Sequence, residues 1–422
     1  MADYLPLPGN DDDLAQPQFP NNGLTPSRVA SLDAFRGLCV FLMMLVDYGG
    51  SLFPIISHSP WDGLRLADFV MPFFLFISGV SLALVHKKVS NKPGATWKAV
   101  LRAAKLFFLG VLLQGGYLHG VSDLTYGVDL ERIRWFGILQ RIAIGYLFAA
   151  LCEIWLSRPV HQGLGIVKRY HLHWLFVVFL SVVFCGLSYG LYVQDWQFEQ
   201  PLSSPSMPTN NNSVYSVKCS VRGDLGPACN AAGMIDRYVI GINHLYKKPV
   251  YRNLEDCNIS SSGEVPELSP SWCHAPFDPE GILGSLMAAV TCIIGLQYGH
   301  VLASLQDHRK RLHYWSLLSV PLLVLGIFLA IVGIPVNKSL YTVSYTLITS
   351  SAAGLTFCAL YLLVDSCGYR QFTGILEWMG KHSLAIFILV TSNVAVVLIQ
   401  GFYWKTPQNN IIHWIVALAK SA

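Results

Sequence analysis

LRLADFVMPFFLFISGVSLALVH, residues 64–86, carries its formal charges only in the first turn, at Arg65 and Asp68. Everything after Asp68 is apolar, aromatic or small until His86 closes the run. About 20 mostly apolar residues suffice to cross a bilayer's hydrocarbon core, so this stretch reads as a transmembrane helix. It has many companions. Comparable runs fall near residues 32–50, 99–118, 135–156, 174–194, 280–303, 314–334, 343–365 and 376–399, and a last one near 411–419 is short by half. Composition agrees: 53% of the 422 residues are apolar and 13% charged, against about 25% charged in soluble domains. Mean hydropathy is +0.45. The expected fold is all-α: a polytopic membrane helical bundle of about ten transmembrane helices with a disulfide-bearing lumenal insertion. The formal charge of +4 comes from short Lys/Arg clusters between apolar runs, not from a basic face, so no nucleic-acid partner is expected.

Charge distribution orients the bundle. Lys87, Lys88, Lys92, Lys98, Arg102 and Lys105 surround the loop after the second span; Arg158, Lys168 and Arg169 follow the fourth; Arg309, Lys310 and Arg311 follow the sixth. The alternate short loops are poor in Lys and Arg, and residues 117–131 are acidic. Under the positive-inside rule the N-terminus is cytosolic. Residues 1–27, polar and proline-rich with Asp11, Asp12 and Asp13, read as a disordered cytosolic tail and not a signal peptide. Within it, Tyr4-Leu5-Pro6-Leu7 fits an endosomal sorting pattern, one that also arises by chance. Helices 1–5 then occupy 28–194 and helices 6–10 occupy 280–422, with the insertion, 195–279, on the lumenal side. The insertion carries sequons at Asn211-Asn212-Ser213 and Asn258-Ile259-Ser260. It also holds Cys219, Cys229, Cys257 and Cys273, an even set that predicts two disulfides with the connectivity open. Their spacing fits no zinc pattern. The other six cysteines lie in or beside apolar runs and read as packing residues. Gly295 and Gly299 are spaced for close helix approach.

Ionisable groups inside a span are costly, which makes them candidates for function. Asp47 closes the first span, His58 stands in the lumenal loop Ser57-His58-Ser59-Pro60-Trp61-Asp62-Gly63, and Asp68 lies one turn into the second. Arg65 shares a helix face with Asp68 and offers it a structural ion pair. Convergence of Asp47, His58 and Asp68 would place an imidazole beside two carboxylates. Such an imidazole can take a proton from an attacking amine, or carry an acyl group itself; a plain loop histidine is the simpler reading. In the fourth span, Arg134 and Arg141 share a stripe and Gln140 lies beside them. A buried Arg141 suits a phosphate-bearing anion such as coenzyme A, or an ion pair with Asp68. Arg102 and Lys105 could attract the same nucleotide or serve only as topology signals. Asp278, Pro279 and Glu280 read as a helix start, with Asp278 as N-cap.

Several of these stretches are familiar together. Ser31-Leu32-Asp33-Ala34-Phe35-Arg36-Gly37, the stretch from His58 to Gly79, and Gly137-Ile138-Leu139-Gln140-Arg141 resemble the heparan-alpha-glucosaminide N-acetyltransferase family. So do Ile235-Asp236-Arg237, His244-Leu245-Tyr246, Asp278-Pro279-Glu280-Gly281-Ile282-Leu283-Gly284 and Ile334-Pro335-Val336-Asn337-Lys338, in the same order. The resemblance implies a lysosomal-type enzyme that moves acetyl from cytosolic acetyl-CoA to a lumenal amine. That acceptor would be an amino sugar such as terminal glucosamine, or another amine. The family's active-site histidine corresponds to His58 and its second-span acid to Asp68; at the position of Asp47 the family has Asn. Arg134 and Arg141 fall in its Arg and Gln-Arg stretch. Relative to the family pattern, the four-cysteine insertion differs and a long N-terminal lumenal domain is expected to be missing.

The expected site is therefore His58, Asp68 and Asp47 for catalysis and Arg134, Arg141, Arg102 and Lys105 for the coenzyme, with acetyl-CoA as donor and no metal. Expected partners are the bilayer, acetyl-CoA and the amine acceptor, with a homodimer left open. The expected location is the endomembrane system, lysosome or vacuole. Alternatives are a solute transporter, in which the same charges line a path, and a non-catalytic scaffold.

Overall fold

The computed structural model describes residues 29–50, 53, 55–85, 91–114, 133–157, 170–201, 212–257, 265–266, 269–392, 414–415 and 417–418. The tail with its Tyr4–Leu7 motif, the sequon asparagines Asn211 and Asn258, Lys87, Lys88, Arg158, Lys168, Arg169, the acidic 117–131 stretch and most of the short last span lie outside the described residues. Helices dominate: α1 (Ala30–Gly49), α2 (Ala67–Val85), α3 (Lys92–Gln114), α4 (Ile138–Leu156), α5 (His171–Gly190), the short α6 (Ala231–Val239), α7 (Ile282–Ser304), α8 (His308–Val332), α9 (Val343–Tyr361), α10 (Arg370–Lys381) and α11 (Ser383–Thr391).

Six of these are long and apolar enough to cross a membrane: α2, α4, α5, α7, α8 and α9 with its π-helical extension to Ser366. The expected span at 376–399 is instead a bent pair, Thr373–Lys381 and Ser383–Thr391, turned by 77°; counted as one span it makes seven. α1 and α3 do form where spans were expected, but each spreads charged residues along its length. α1 carries Asp33, Arg36 and Asp47, and α3 carries Lys92, Lys98, Arg102 and Lys105.

Burial sorts the helices into centre and rim. α7 is the axis, with 89% of its apolar window buried, whereas α8 buries 17% and α5 28%. The outer faces of α5 and α8 expose Phe179, Val182, Val324, Phe328 and Ile331. That is apolar surface a water-soluble monomer would not leave contiguous and lipid would cover. In lipid, helix pairs gain little from hydrophobicity and depend on close backbone approach. α2 and α7 achieve it through Gly79 and Gly295, where a Cβ would strike the Cys292 and Phe76 carbonyls respectively.

The insertion sits at the end of the bundle where α1, α5 and α8 finish and α2, α4, α7 and α9 begin. It contains a two-stranded antiparallel sheet, β1 (Trp196–Pro201) with β2 (Asn212–Val217), which the all-α reading did not include. Disulfides join Cys219 to Cys229 and Cys257 to Cys273, so of three possible pairings the chain takes the sequential one. The start of α7 differs from expectation. Asp278 is not its N-cap: the helix begins at Ile282, and Asp236 of α6 accepts the Ile282 N–H at 2.9 Å. Gly281 leaves just enough room, since a Cβ there would collide with the Asp236 carboxylate.

Candidate active site

The insertion end of the bundle is held by two loops that lock together. The loop carrying His58 meets the loop between α8 and α9 through an Asp62–Asn337 β-bridge. Gly63 donates its N–H to the Val336 carbonyl at 2.8 Å, and the Asn337 amide donates to Asp62 Oδ1 at 3.0 Å. Gly63 has φ +104°, a left-handed value that costs glycine nothing. From above, the Trp61 indole donates to the Leu225 carbonyl at 3.0 Å and packs edge-on against Tyr251 and Phe277. The insertion thereby fixes the loop on which His58 is mounted.

Asp68 is the hub. Its carboxylate is fully buried, and Oδ2 accepts the backbone N–H groups of Arg65 (2.9 Å) and Ser59 (3.2 Å). Oδ1 takes His58 Nδ1 at 3.1 Å and lies 3.5 Å from Lys338 Nζ. The sequence four residues on explains the position of its backbone. Pro72 has no N–H to give the Asp68 carbonyl, and the Tyr345 hydroxyl donates to that oxygen instead. Arg65 donates from its guanidinium to Ser57 Oγ at 3.0 Å and to the His58 carbonyl at 3.4 Å, steadying the histidine's own backbone.

Lys338 Nζ is 2.7 Å from His58 Nδ1, so a single ring nitrogen faces both an ammonium and a carboxylate. These contacts are exclusive. A charged Lys338 donates to a bare Nδ1, leaving the proton on Nε2. A neutral Lys338 lets Nδ1–H donate to Asp68, leaving the Nε2 lone pair to act. Burial pulls Lys338 below the usual lysine range, against the opposing pull of Asp68 and Glu280. Nε2 has no hydrogen-bond partner among the described residues. The His58 side chain remains 36% exposed, open to a reactant.

His58, Asp47, Lys338 and Glu280 line one cavity of about 110 Å3, otherwise walled by apolar residues such as Met71, Phe74 and Phe387. That is room for several waters or a thioester's acyl end. His58 and Asp68 meet directly, while Asp47 lines the same cavity as His58 and makes no bond to the ring.

The four basic candidates are dispersed. Arg134 grips Asp278 with two bonds of 2.7 and 2.8 Å, pairs with Glu280, and stacks on the Tyr246 ring. Its guanidinium is spent on acids at the mouth. Arg141, buried, donates to the Pro279 carbonyl at 2.6 Å and lies over Tyr341; it forms no ion pair with Asp68 among the described residues. Burial pushes the Glu280 carboxyl up, but Arg134, Arg141 and Lys338 outweigh it and hold it below the ordinary range. Arg102 lies over the Tyr146 ring, and neither Arg102 nor Lys105 lines the His58 cavity. Among the described residues, Arg141 Nε and both polar atoms of the Gln140 amide are buried without a partner, the kind of unmet demand a bound polar substrate satisfies. Sequence reading missed Lys338. Its one signal was the Ile334–Lys338 stretch, which suggested no chemistry by itself.

Comparison with known proteins bears on this geometry. The family model described as "Heparan-alpha-glucosaminide N-acetyltransferase, catalytic" matches residues 28–197, which contain His58, Asp68 and Arg141. Heparan-alpha-glucosaminide N-acetyltransferase of Mus musculus is 29% identical over 385 residues, covering 86% of this chain and 53% of the relative. The Homo sapiens protein of that name is 28% identical, with 86% and 52% covered. The chain spans about half the length of the curated relatives it matches.

Proposed function

We propose that the chain is a membrane acetyltransferase that takes acetyl from cytosolic acetyl-CoA and delivers it to a lumenal amine, an amino sugar such as terminal glucosamine being the first candidate. The observation that carries this reading is His58. One ring nitrogen sits between Asp68 and Lys338, the other has no partner among the described residues, and the ring stands at a small cavity that can take an acyl group. The family resemblance supports the reaction class, and the apolar helices support the setting.

Two routes use the same atom. In direct transfer, Nε2 takes a proton from the acceptor amine as its nitrogen attacks the thioester carbonyl, the C–S bond breaks, and the thiolate is protonated. In a relay, Nε2 attacks first, expels the coenzyme thiolate and holds acetyl until the amine takes it. Either way Asp68 stabilises the imidazolium character that develops. Juxtaposing donor and acceptor supplies much of the rate. The acyl end of the donor is proposed to enter this cavity, with the coenzyme's nucleotide outside it. Arg141 and Gln140, with unmet polar atoms, are the residues proposed to meet the donor's polar groups. Arg102 and Lys105 are proposed only to attract its phosphates, and Arg134 to hold the acids of the mouth. The location proposed is a lysosome or vacuole membrane with the N-terminus cytosolic.

The test is acetyl transfer from labelled acetyl-CoA to glucosamine by the purified protein, beside His58→Ala. Transfer that vanishes in the variant supports the assignment. Transfer that survives removes His58 from the mechanism, and absence of both transfer and acetyl-CoA binding in the wild type sinks the enzyme reading.

A further inference from the structure

At the end of the bundle away from His58, three buried side chains from three helices point at one another. Glu153 lies in the last turn of α4, His173 in the first turn of α5 and His300 one turn before the end of α7. They are 7%, 0% and 4% exposed. Glu153 Oε2 is 3.0 Å from His300 Nε2 and 3.9 Å from His173 Nε2, and one ligand atom from each residue lies within 4.8 Å of the others. Both imidazoles are buried, and among the described residues neither Nε2 makes a well-aligned hydrogen bond, the 3.0 Å His300–Glu153 contact being an ion pair only when that ring is protonated. A carboxylate oxygen facing two imidazole nitrogens is held together either by a proton on one ring or by a shared metal ion, and only the ion engages both rings at once.

We propose that Glu153, His173 and His300 bind a single divalent cation of the zinc class. The donor set is two imidazoles and one carboxylate, a combination that zinc accepts with a further position open. Ligand atoms about 2.0–2.1 Å from a tetrahedral ion stand roughly 3.3 Å apart, and the two measured separations bracket that spacing.

The surroundings are those of a held ligand set. Ser157 donates to Glu153 Oε2 at 2.9 Å, and the Gln297 amide lies 3.2 Å from His173 Nδ1. A metal on His173 Nε2 leaves Nδ1 protonated, and the Gln297 amide, turned by half a rotation, presents its oxygen to that proton. Such outer partners fix tautomer and ring direction. The Tyr170 ring stacks on His300 at 3.8 Å and pins that imidazole from its face. A bound ion would tie α4, α5 and α7 together at the end of the bundle opposite the acyl cavity. The inference stands apart from the acetyl-transfer reading.

The experiment uses the full chain, purified in detergent without a histidine tag, stripped with chelator and reloaded with Zn²⁺ or Co²⁺. The expected wild-type result is one ion per chain, the visible absorption of tetrahedral Co²⁺, and a melting temperature that rises with Zn²⁺. Glu153→Gln, His173→Ala and His300→Ala should each lose the Co²⁺ spectrum and at least about tenfold in affinity. X-ray absorption on the zinc-loaded wild type, which needs no variant to fold, should report two imidazole ligands. A wild type that takes up no ion, variants that bind as well as wild type, or a zinc shell without two imidazoles would overturn the site and leave a buried Glu153–His300 ion pair.

Discussion

His58 and Lys338 share one hydrogen-bonding position, so the lysine's charge selects which nitrogen of the imidazole is available. With Lys338 held below the ordinary lysine range by burial, the Nε2 lone pair becomes available on the alkaline side of that ionisation. The pH profile of acetyl transfer should therefore contain a rising limb that belongs to Lys338. Lys338→Met should remove that limb while acetyl-CoA binding persists; an unchanged profile would refute the tautomer role. Loss of the imidazole itself, in His58→Ala, should cost about 10²–10⁴-fold in turnover, the usual worth of a positioned acid–base group. Asp68→Asn should fall on the same scale, because it leaves Lys338 and a developing imidazolium without their counter-charge. A single-turnover assay at saturating donor would separate these losses from weakened binding.

At the scale of elements, the helix starts carry the pH dependence. Asp236 caps α7 from α6, and burial first, with Asp278 adding, pushes its carboxyl up to about 7. An unfolded aspartate ionises near pH ~3.9, so between that value and about 7 the folded chain holds the extra proton. Stability then falls as pH rises through this window, by at most roughly 4 kcal/mol for a group shifted about three units. Thermal unfolding from pH 4 to 8 should decline more steeply for the wild type than for Asp236→Asn, which keeps the Oδ1 acceptor. Parallel curves would exclude Asp236 as the source. The α2–α7 contact gives a pH-independent counterpart: Gly295→Val puts a side chain into the Phe76 carbonyl and should destabilise by about 1–3 kcal/mol.

These elements also show how far the sequence could be read. Apolar length located α2, α4, α5, α7, α8 and α9, because the hydrocarbon core imposes a length that needs no knowledge of neighbours. It misjudged Asp278, whose position before Pro279 looks like a cap locally but whose carboxylate is claimed by Arg134 from another segment. His58 and Asp68 were legible because ten residues of one hairpin bring them together. Lys338 lies 280 positions from His58, and Glu153, His173 and His300 come from three helices. Contacts closed only by tertiary packing leave no periodicity to find.

On the scale of the whole molecule, the proposed reaction requires two faces: a donor reaching the bundle from the cytosol and an acceptor in the lumen. The His58 loop is mounted on the insertion through Trp61, so the side on which the insertion lies is the side on which the acceptor must arrive. The disulfides Cys219–Cys229 and Cys257–Cys273 brace the same unit and belong in an oxidising compartment. Replacing Cys257 and Cys273 with Ser should destabilise the insertion by about 2–4 kcal/mol, read as increased proteolysis between residues 219 and 273. The side itself is decided by Asn211 and Asn258, since glycan transfer occurs only in the secretory lumen. In a secretory host, endoglycosidase should increase the electrophoretic mobility of the wild type, and Asn211→Gln with Asn258→Gln should abolish that shift. A wild type without glycan whose N-terminal tail is instead accessible from the lumen would invert the bundle. Donor and acceptor would then arrive from the opposite sides, and His58 would face the cytosolic pool of acetyl-CoA directly.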